Sequence, residues 1–432
     1  MTASGALDDR DPIPLTAEDR AILELEGPTI AGHTCKVVVL DGAAPDVAAL
    51  RSAIGERIGD APMLMRRLGG DEGAPAWVVD EGFEIDRHVG AAPGAGPIAR
   101  AELRAAVASL FEQRLDRSRP LWRIDAIALE GGGSALVWRL HHALADGTAA
   151  MRYSRALLWD PETAAPKPDR HSSPAHPASQ HHRDDDVRRR GHLAGFIRRE
   201  LARSRHGSPF DGEIGTSRRI AFANAPLREL HDAAKALAGA TLNDAVLATV
   251  AGSLRHWIER HHGDLGGVRA KVPVSLHHEG DDAGNRDSFF SLPLPLNEPD
   301  AVERLRAVHG ATVARKDADD AETLDRMLNE LGGVSPRLER LAERIERSPR
   351  AFALNVSNVP GPRTPVRVLG APVAELHTIA EIGERHALRV AVVSMAGTLC
   401  FGICADPAIV DDLEGMATGI ETETAALIAA AP

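Results

Sequence analysis

Two adjacent histidines are the residues of this chain best suited to do chemistry. His141 and His142 follow segment 134–140, where bulky apolar side chains recur at every second position, the pattern of a β-strand. Asp146 and Gly147 come next, and apolar residues then return at helical spacing. Imidazole transfers protons near neutral pH. A histidine held in a turn between strand and helix can therefore act as a general acid or base, and a nearby acidic residue can anchor the turn.

A pair of histidines also has an ordinary explanation, because such pairs are often solvated loop residues. The chain has 19 histidines, with further pairs at 181–182, 261–262 and 277–278. The pair at 141–142 alone combines a preceding strand, an Asp-Gly step and a following helix. A zinc site would need two more ligands. The sequence has no His-Glu-x-x-His motif and no close cysteine pair that would supply them, so we predict no metal.

The composition is that of an ordinary globular protein. The chain has 432 residues, enough for about two domains, and 44% of them are apolar. Cys35, Cys400 and Cys404 are an odd and scattered set, which favours core packing in a reducing cytoplasm over disulfides. The net charge of −12 argues against nucleic acid as a partner. We expect no signal peptide and no membrane-spanning segment, since no apolar run approaches about 18 residues.

Strand and helix patterns alternate in both halves, which predicts an α/β protein with two sandwiches side by side. We expect an N-terminal domain over 14–160, a linker over 161–215 and a C-terminal domain over 216–432. Short strands are predicted at Trp77–Val79 and Phe83–Ile85, and a helix at Arg100–Leu115.

The end of the linker is strongly basic. Segment 188–205 has seven arginines and one glutamate, a local charge of +6, and its apolar residues fall on one helical stripe. Such a helix suits an anionic lipid surface. The alternative is an interdomain helix that packs this stripe on the protein.

The His-His-x-x-x-Asp-Gly motif resembles the active-site signature of the chloramphenicol acetyltransferase-like superfamily, which includes peptide-synthetase condensation domains. One branch, the bacterial wax ester synthase/acyl-CoA:diacylglycerol acyltransferases, is matched by further segments in the right order. These segments are Pro14-Leu-Thr-Ala-Glu-Asp19 with Leu25-Glu-Gly27, Leu115–Trp122, Thr241-Leu-Asn-Asp244, Val272-Pro-Val-Ser275, Gly284-Asn285, Ser357-Asn-Val-Pro-Gly-Pro362 and Gly397-Thr-Leu-Cys-Phe-Gly402 with Asp406.

The resemblance implies two chloramphenicol acetyltransferase-like α/β sandwich domains with an active-site tunnel between them. It also implies an acyl-CoA-dependent O-acyltransferase that esterifies diacylglycerol, with long-chain alcohols as a second acceptor class. Acyl-CoA is then a substrate, and no cofactor is expected. The resemblance makes His142 the general base, without an acyl-enzyme; the chain accordingly has no Gly-x-Ser-x-Gly elbow. His141 helps to form the site or holds the turn. Asp146 supports the His142 rotamer and pairs with an arginine, and Gly147 keeps the channel open.

Two further groups of residues are candidates for the site. Asn243, followed by Asp244 at the start of a helix, could stabilise an oxyanion; the alternative is helix capping by Thr241 or Asn243. Ser357, Asn358, Pro360 and Gly361 could line the acyl or CoA channel; the alternative is a turn.

The sequence leaves two other functions open. One is a condensation-type acyltransferase that uses carrier-protein-bound donors, and the other is a non-catalytic lipid-binding module. The expected partners are acyl-CoA and diacylglycerol or a long-chain alcohol. The expected location is the cytoplasm, with peripheral attachment to the inner face of the cell membrane or to lipid droplets as a further option.

Overall fold

The computed structural model describes residues 10–161 without 43, 72 and 95, and residues 208–275, 287–317 and 353–432. Several predictions lie outside these residues. They concern linker residues 162–207 with the basic helix 188–205, and Gly284-Asn285.

The described residues contain eight α-helices. They are α1 Ala17–Leu25, α2 Val47–Arg57, α3 Leu103–Phe111, α4 Gly147–Leu157, α5 Leu227–Ala238, α6 Leu242–His261, α7 Ala301–Asp317 and α8 Leu413–Ala430. Asp46 caps α2 as its position suggests, since its carboxylate accepts the N–H of Ala48 at 3.3 Å.

Fifteen strands are described, which alternate with the helices along the chain. They are β1 Ile13–Pro14, β2 His33–Leu40, β3 Arg66–Asp71, β4 Ala74–Val79, β5 Val89–Ala91, β6 Trp122–Ala128, β7 Ser134–His141, β8 Arg219–Pro226, β9 Arg269–Ser275, β10 Asp287–Pro293, β11 Leu354–Val359, β12 Arg367–Val368, β13 Ala371–Ala380, β14 Leu388–Met395 and β15 Thr398–Ala405.

The first large sheet has the strand order β12-β13-β2-β7-β6-β5. Strand β2 is buried along its whole length and runs antiparallel to β7, so that His33 lies opposite His141. Strand β7 is also buried throughout, because its apolar side chains face cores on both sides of the sheet. Strand β7, which ends at His141, is therefore held in place by packing on both of its faces.

The second large sheet has the order β10-β9-β11-β14-β15-β8, and β11 runs parallel to both of its neighbours. Helices α5, α6, α7 and α8 pack against one another, and α8 also lies against β8 and β15. A smaller sheet, β1-β4-β3, completes the described strands.

The two large sheets meet where β15 crosses β13. A Cβ atom on Gly402 would lie 1.9 Å from the carbonyl oxygen of Thr378, so no larger residue fits at this crossing. The close approach of two backbones explains a glycine in the middle of a buried strand.

The α/β fold with two sandwiches is confirmed, and most predicted elements have their expected type. Phe83–Ile85 is not a strand: Ile85 begins a short 3-10 helix, Ile85–Arg87. The helix predicted over Arg100–Leu115 starts as a 3-10 turn and ends at Phe111. The domain limits 14–160, 161–215 and 216–432 stay a prediction.

One central strand was not predicted at all. Strand β13 lies in the second half of the sequence but pairs with β2 of the first sheet. Its pairing is interrupted between Val373 and Glu375, where the register shifts. Such a bulge breaks the alternation of apolar and polar residues by which a strand is recognised in a sequence.

Among the described residues, no single helix is long and apolar enough to span a bilayer. Helices α5 and α6 meet the criteria of length and composition only when they are taken together, and the chain bends by 93° between them.

Candidate active site

The turn after β7 is held by its own backbone and by Asp146. The carbonyl oxygen of His141 accepts the N–H groups of Leu144 and Ala145, at 2.9 and 3.1 Å. Asp146 is the N-cap of α4, and its Oδ1 accepts the N–H of Ala149 at 2.6 Å. The N–H of His142 donates to the carbonyl of Gly32 at 2.9 Å, which ties the turn to the start of β2. Strand, turn and helix therefore form one rigid unit.

His141 is fully buried and both of its ring nitrogens face partners. Nδ1 accepts the N–H of Ala143 at 3.2 Å, so the ring proton sits on Nε2. Nε2 lies 3.4 Å from Oε2 of Glu26. Gly32 adopts φ +71°, and a Cβ there would lie 2.6 Å from this Nε2. His141 is thus enclosed by the protein, an arrangement that suits holding the turn.

Glu26 connects His141 to the surface. Its side chain is only 3% exposed and forms ion pairs with Arg114 at 2.7 Å and with Arg117. Burial alone would favour the protonated acid, but hydrogen bonds from His141 and Arg117 outweigh it and lower the pKa of Glu26 to about 2. The carboxylate is ionised at neutral pH and can fix the His141 ring.

His142 lies in a different environment. The residue is half-buried, and its Nδ1 is buried without a hydrogen-bond partner among the described residues. A neutral imidazole keeps a free lone pair on one of its two ring nitrogens. Burial and then the positive charge of Arg389 lower the pKa of His142 to about 4, against the opposing effects of its own carbonyl and Asp146. The ring is therefore neutral at pH 7 and can accept a proton.

The arginine expected to pair with Asp146 is not found among the described ion pairs. Among the residues that the structure describes, no arginine forms an ion pair with Asp146; the cation whose charge interacts with it is Lys36 on β2. Lys36 is buried, and its Nζ donates to Thr378 Oγ1 at 2.8 Å. Burial lowers the pKa of Lys36 to about 8, although the charges of Cys35 and Asp146 oppose the shift.

The Ser-Asn-Val-Pro-Gly-Pro segment reaches the turn through Val359. A Cβ on Gly147 would lie 2.8 Å from Cγ2 of Val359, so the start of α4 packs against the end of β11. Ser357 shares a strand face with Val359, and Asn358 points to the opposite face. The structure thus brings the face with Ser357 towards the histidine turn.

The end of this segment has a packing role. The N–H of Gly361 donates to Ser394 Oγ at 3.0 Å, and a Cβ on Gly361 would lie 2.1 Å from the carbonyl oxygen of Ser394. Pro360 is exposed. A channel-lining role for Pro360 and Gly361 stays a prediction.

Asn243 and Asp244 lie at the start of α6. Thr241 is the N-cap and forms a capping box with Asp244, so Asn243 is not the cap. Asp244 is buried, and it also accepts hydrogen bonds from Thr312 Oγ1 at 2.7 Å and His309 Nδ1 at 2.9 Å. Asp244 therefore fastens α6 to α7. The half-buried Asn243 keeps its oxyanion role as a prediction.

Sequence reasoning missed four residues around the histidines: Glu26, Gly32, Lys36 and Arg389. Glu26 is part of the Leu25-Glu-Gly27 segment, whose only signal in the sequence is its resemblance to the family. Lys36 and Arg389 lie on strands, and Gly32 directly precedes β2; all three meet the turn through tertiary structure, and no local pattern marks them.

Comparison with known proteins gives consistent results. Residues 15–206 match the family model described as wax ester synthase/diacylglycerol acyltransferase catalytic domain, and residues 283–427 match the model of the WS/DGAT C-terminal domain. A probable diacylglycerol O-acyltransferase, tgs1, of Mycobacterium tuberculosis is 30% identical over 427 residues, covering 91% of this chain and 90% of that protein. A putative diacylglycerol O-acyltransferase of the same species is 30% identical over 463 residues, covering 96% and 97%.

Solved structures share the fold. The wax ester synthase/diacylglycerol acyltransferase from Marinobacter aquaeolei VT8 superposes with a TM-score of 0.67 at 24% identity, covering 96% of this chain and 98% of that one. The first condensation domain of the CDA synthetase superposes with a TM-score of 0.60 at 18% identity, covering 98% of each chain.

Proposed function

Because this chain belongs to the wax ester synthase/diacylglycerol acyltransferase family, we propose that it transfers acyl groups from acyl-CoA to diacylglycerol, with long-chain alcohols as a second acceptor class. The observation that carries the proposal is the neutral imidazole of His142, held in a rigid turn where the two halves of the chain meet. Such a group can remove a proton from an alcohol without first losing one itself.

His142 performs both proton transfers of the reaction. Nε2 takes the proton from the acceptor hydroxyl while the oxygen attacks the thioester carbonyl, and a tetrahedral intermediate forms. When the intermediate collapses, the carbon–sulfur bond breaks and the CoA thiolate takes the proton from the imidazolium. The ester and CoA leave, and the imidazole is neutral again. This sequence needs no acyl-enzyme.

The neighbouring residues support this role of His142 but do not take part in the proton transfer. Asp146 caps α4, and Lys36 provides a positive charge near it. His141 anchors the turn through Glu26. In this proposal the substrates approach His142 through a tunnel between the two sheets, with the Ser357 face of β11 as one wall.

The main test is the replacement of His142 by Ala. We expect turnover of palmitoyl-CoA with dipalmitoylglycerol and with hexadecanol to fall by ~10²–10⁴. His231→Ala is the matched control, since this histidine lies on α5 with 44% of its side chain exposed. Wild-type activity of His142→Ala would reject the general base.

The acyl donor separates this proposal from a condensation-type reaction. We expect the wild-type protein to use palmitoyl-CoA in the absence of any carrier protein. Activity with palmitoyl-carrier protein and none with palmitoyl-CoA would instead support the condensation-type function.

Peripheral attachment to a membrane or lipid droplet is part of the proposal, since the acceptor and product are lipids. The support is the basic, amphipathic composition of residues 188–205. We expect the full chain to sediment with vesicles that contain anionic lipid, and a chain lacking 187–205 to stay in the supernatant. Substitution of Phe196 and Ile197 by Ser, which keeps the charge, tests the contribution of the apolar stripe. Unchanged sedimentation of both variants would exclude this attachment.

A further inference from the structure

Two polar side chains interrupt the inner face of the second sheet. Asn355 on β11 and Arg389 on β14 are direct neighbours in register, and both are half-buried although their strands are central in the sheet. They alternate with buried apolar residues of the helix-side core, so their side chains point to the opposite face. On β11, Val359 shares that face and packs against Gly147, so the face is turned towards the histidine turn.

Both side chains have unused hydrogen-bonding capacity. The guanidinium of Arg389 donates from Nη1 to the carbonyl oxygen of Glu381 at 2.8 Å, but its Nε is buried without a partner. The Oδ1 atom of Asn355 is also buried without a partner. Within the described part of the chain, Arg389 forms no ion pair with a carboxylate closer than 4.0 Å. Buried polar groups are rarely left unsatisfied, because each costs about 1–3 kcal/mol. A ligand is one way to satisfy them.

These groups lie within electrostatic reach of the reacting imidazole. After burial, the charge of Arg389 is the largest influence on His142. A short chain of contacts also joins the pair to the histidine turn. Arg389 donates to the carbonyl of Glu381, the Glu381 carboxylate accepts the N–H of Ala31 at 3.1 Å, and the carbonyl of the next residue, Gly32, accepts the N–H of His142. Two buried atoms of the pair have no partner among the described residues: the Nε–H of Arg389, which is a donor, and Oδ1 of Asn355, which is an acceptor.

We propose that Arg389 and Asn355 form a hydrogen-bonding subsite for the glycerol ester part of the acyl acceptor, and that a monoacylglycerol fits it best. This inference rests on the proposed acyltransferase function. The Nε–H of Arg389 donates to an ester carbonyl next to the reacting hydroxyl. Oδ1 of Asn355 accepts a hydrogen bond from a second hydroxyl, which a monoacylglycerol has and a diacylglycerol lacks.

The three acceptor classes differ in how they fill this subsite. A fatty alcohol has only methylene groups beside its hydroxyl and leaves both side chains unpaired. A diacylglycerol satisfies Arg389 alone, and a monoacylglycerol satisfies both. A site built to hydrogen-bond its substrate discriminates strongly against an analogue that lacks the group. The wild-type order of kcat/KM should therefore be monopalmitoylglycerol, dipalmitoylglycerol, hexadecanol.

The experiment measures kcat/KM for these three acceptors with palmitoyl-CoA in two variants. At pH 8, where His142 is unprotonated with or without the charge of Arg389, Arg389→Met should lower the values for both glycerides by about 10–100-fold, the usual effect of losing a hydrogen bond to a charged group, and leave hexadecanol within about twofold. Asn355→Leu should lower only the value for monopalmitoylglycerol, by about 10-fold. Arg385→Met is the control, since this arginine is 46% exposed and pairs with Asp211 at 2.9 Å.

The outcomes separate this inference from the proposed function. Loss of all three activities in parallel in a folded Arg389→Met protein would overturn the inference, since Arg389 would then serve a step common to every acceptor. Equal use of the three acceptors by the wild type would overturn it as well. If Arg389→Met does not fold, Arg389→Gln keeps an N–H donor and should retain the preference for glycerides. No esterification of any acceptor by the wild type would reject the proposed function itself.

Discussion

Nε2 of His141 lies 3.4 Å from Oε2 of Glu26, whereas the adjacent His142 has no carboxylate against its ring nitrogens among the described ion pairs. Two neighbouring imidazoles thus have opposite surroundings. His141 is enclosed by a carboxylate, a backbone N–H and Gly32, and it fixes the turn. His142 is half-buried and neutral at pH 7. These surroundings support the proposal that His142, and not His141, exchanges a proton with the substrate.

Removing the charge of Glu26 tests the anchoring role of His141. We expect Glu26→Gln to lower kcat by about 10-fold with little change in KM, and to reduce the unfolding free energy by about 1–3 kcal/mol, because a buried charged hydrogen bond is lost. Steady-state kinetics and urea denaturation measure the two effects. Glu24→Gln is the control, since Glu24 is exposed two residues away. Equal behaviour of the two variants would contradict the role of Glu26.

The same pair gives a pH dependence of stability. The pKa of Glu26 is lowered from 4.5 to about 2, so its stabilising effect is complete above pH 4.5 and disappears as the pH falls through about 2. The stability advantage of the wild type over Glu26→Gln should therefore shrink between pH 4.5 and 2, as measured by urea denaturation at each pH. A constant difference across this range would argue against the lowered pKa.

The low pKa of His142 predicts an unusually acidic limit of activity. Since the base acts when unprotonated, kcat/KM should stay high as the pH falls below 6.5 and decline only near pH 4. Neutralising Arg389 removes a charge that lowers this pKa, so Arg389→Met should move the decline to higher pH. Circular dichroism at each pH verifies that the protein is folded. A decline of the wild-type activity near pH 6.5 would contradict the environment described for His142.

Lys36 should destabilise the folded state near neutral pH. Its pKa falls from 10.5 to about 8 on folding, so the native protein releases the proton first and stability rises with pH between 8 and 10.5. From pH 7 to 9.5 the contribution of Lys36 to the unfolding free energy should rise by about 2 kcal/mol. Lys36→Met should lack this rise and be more stable at pH 7. Guanidinium denaturation at both pH values measures the effect; an unchanged rise in the variant would disprove it.

A substitution at Gly402 tests how closely β15 packs against β13 where the two sheets cross. Gly402→Ala places a Cβ 1.9 Å from the Thr378 carbonyl, and the backbone shift that follows should lower the unfolding free energy by about 1–3 kcal/mol or more. Gly55→Ala in α2 is the control, because its Cβ meets nothing within 4 Å and alanine favours a helix by about 1 kcal/mol. Thermal melting should therefore shift in opposite directions for the two variants.

The sequence predicts the local parts of the site and misses the tertiary ones. The strand, turn and helix around His141–Gly147 follow from alternation, an N-cap aspartate and helical spacing, all of which act within a few residues. Lys36 and Arg389 reach the turn from other strands, and their positions depend on strand pairing that no short pattern specifies. Strand β13 is not predicted for a related reason: the irregular pairing near Val373 interrupts the alternation of residues between the two faces of the strand.

The placement of β13 has a consequence for the order of events during synthesis. When residues 10–161 have left the ribosome, β2 still lacks its outer partner and exposes a row of unpaired backbone N–H and C=O groups. That edge is covered only after residue 380 has emerged, more than 200 residues later. The first half therefore presents an edge at which another chain can pair, and a cut at the linker separates β2 from its partner β13.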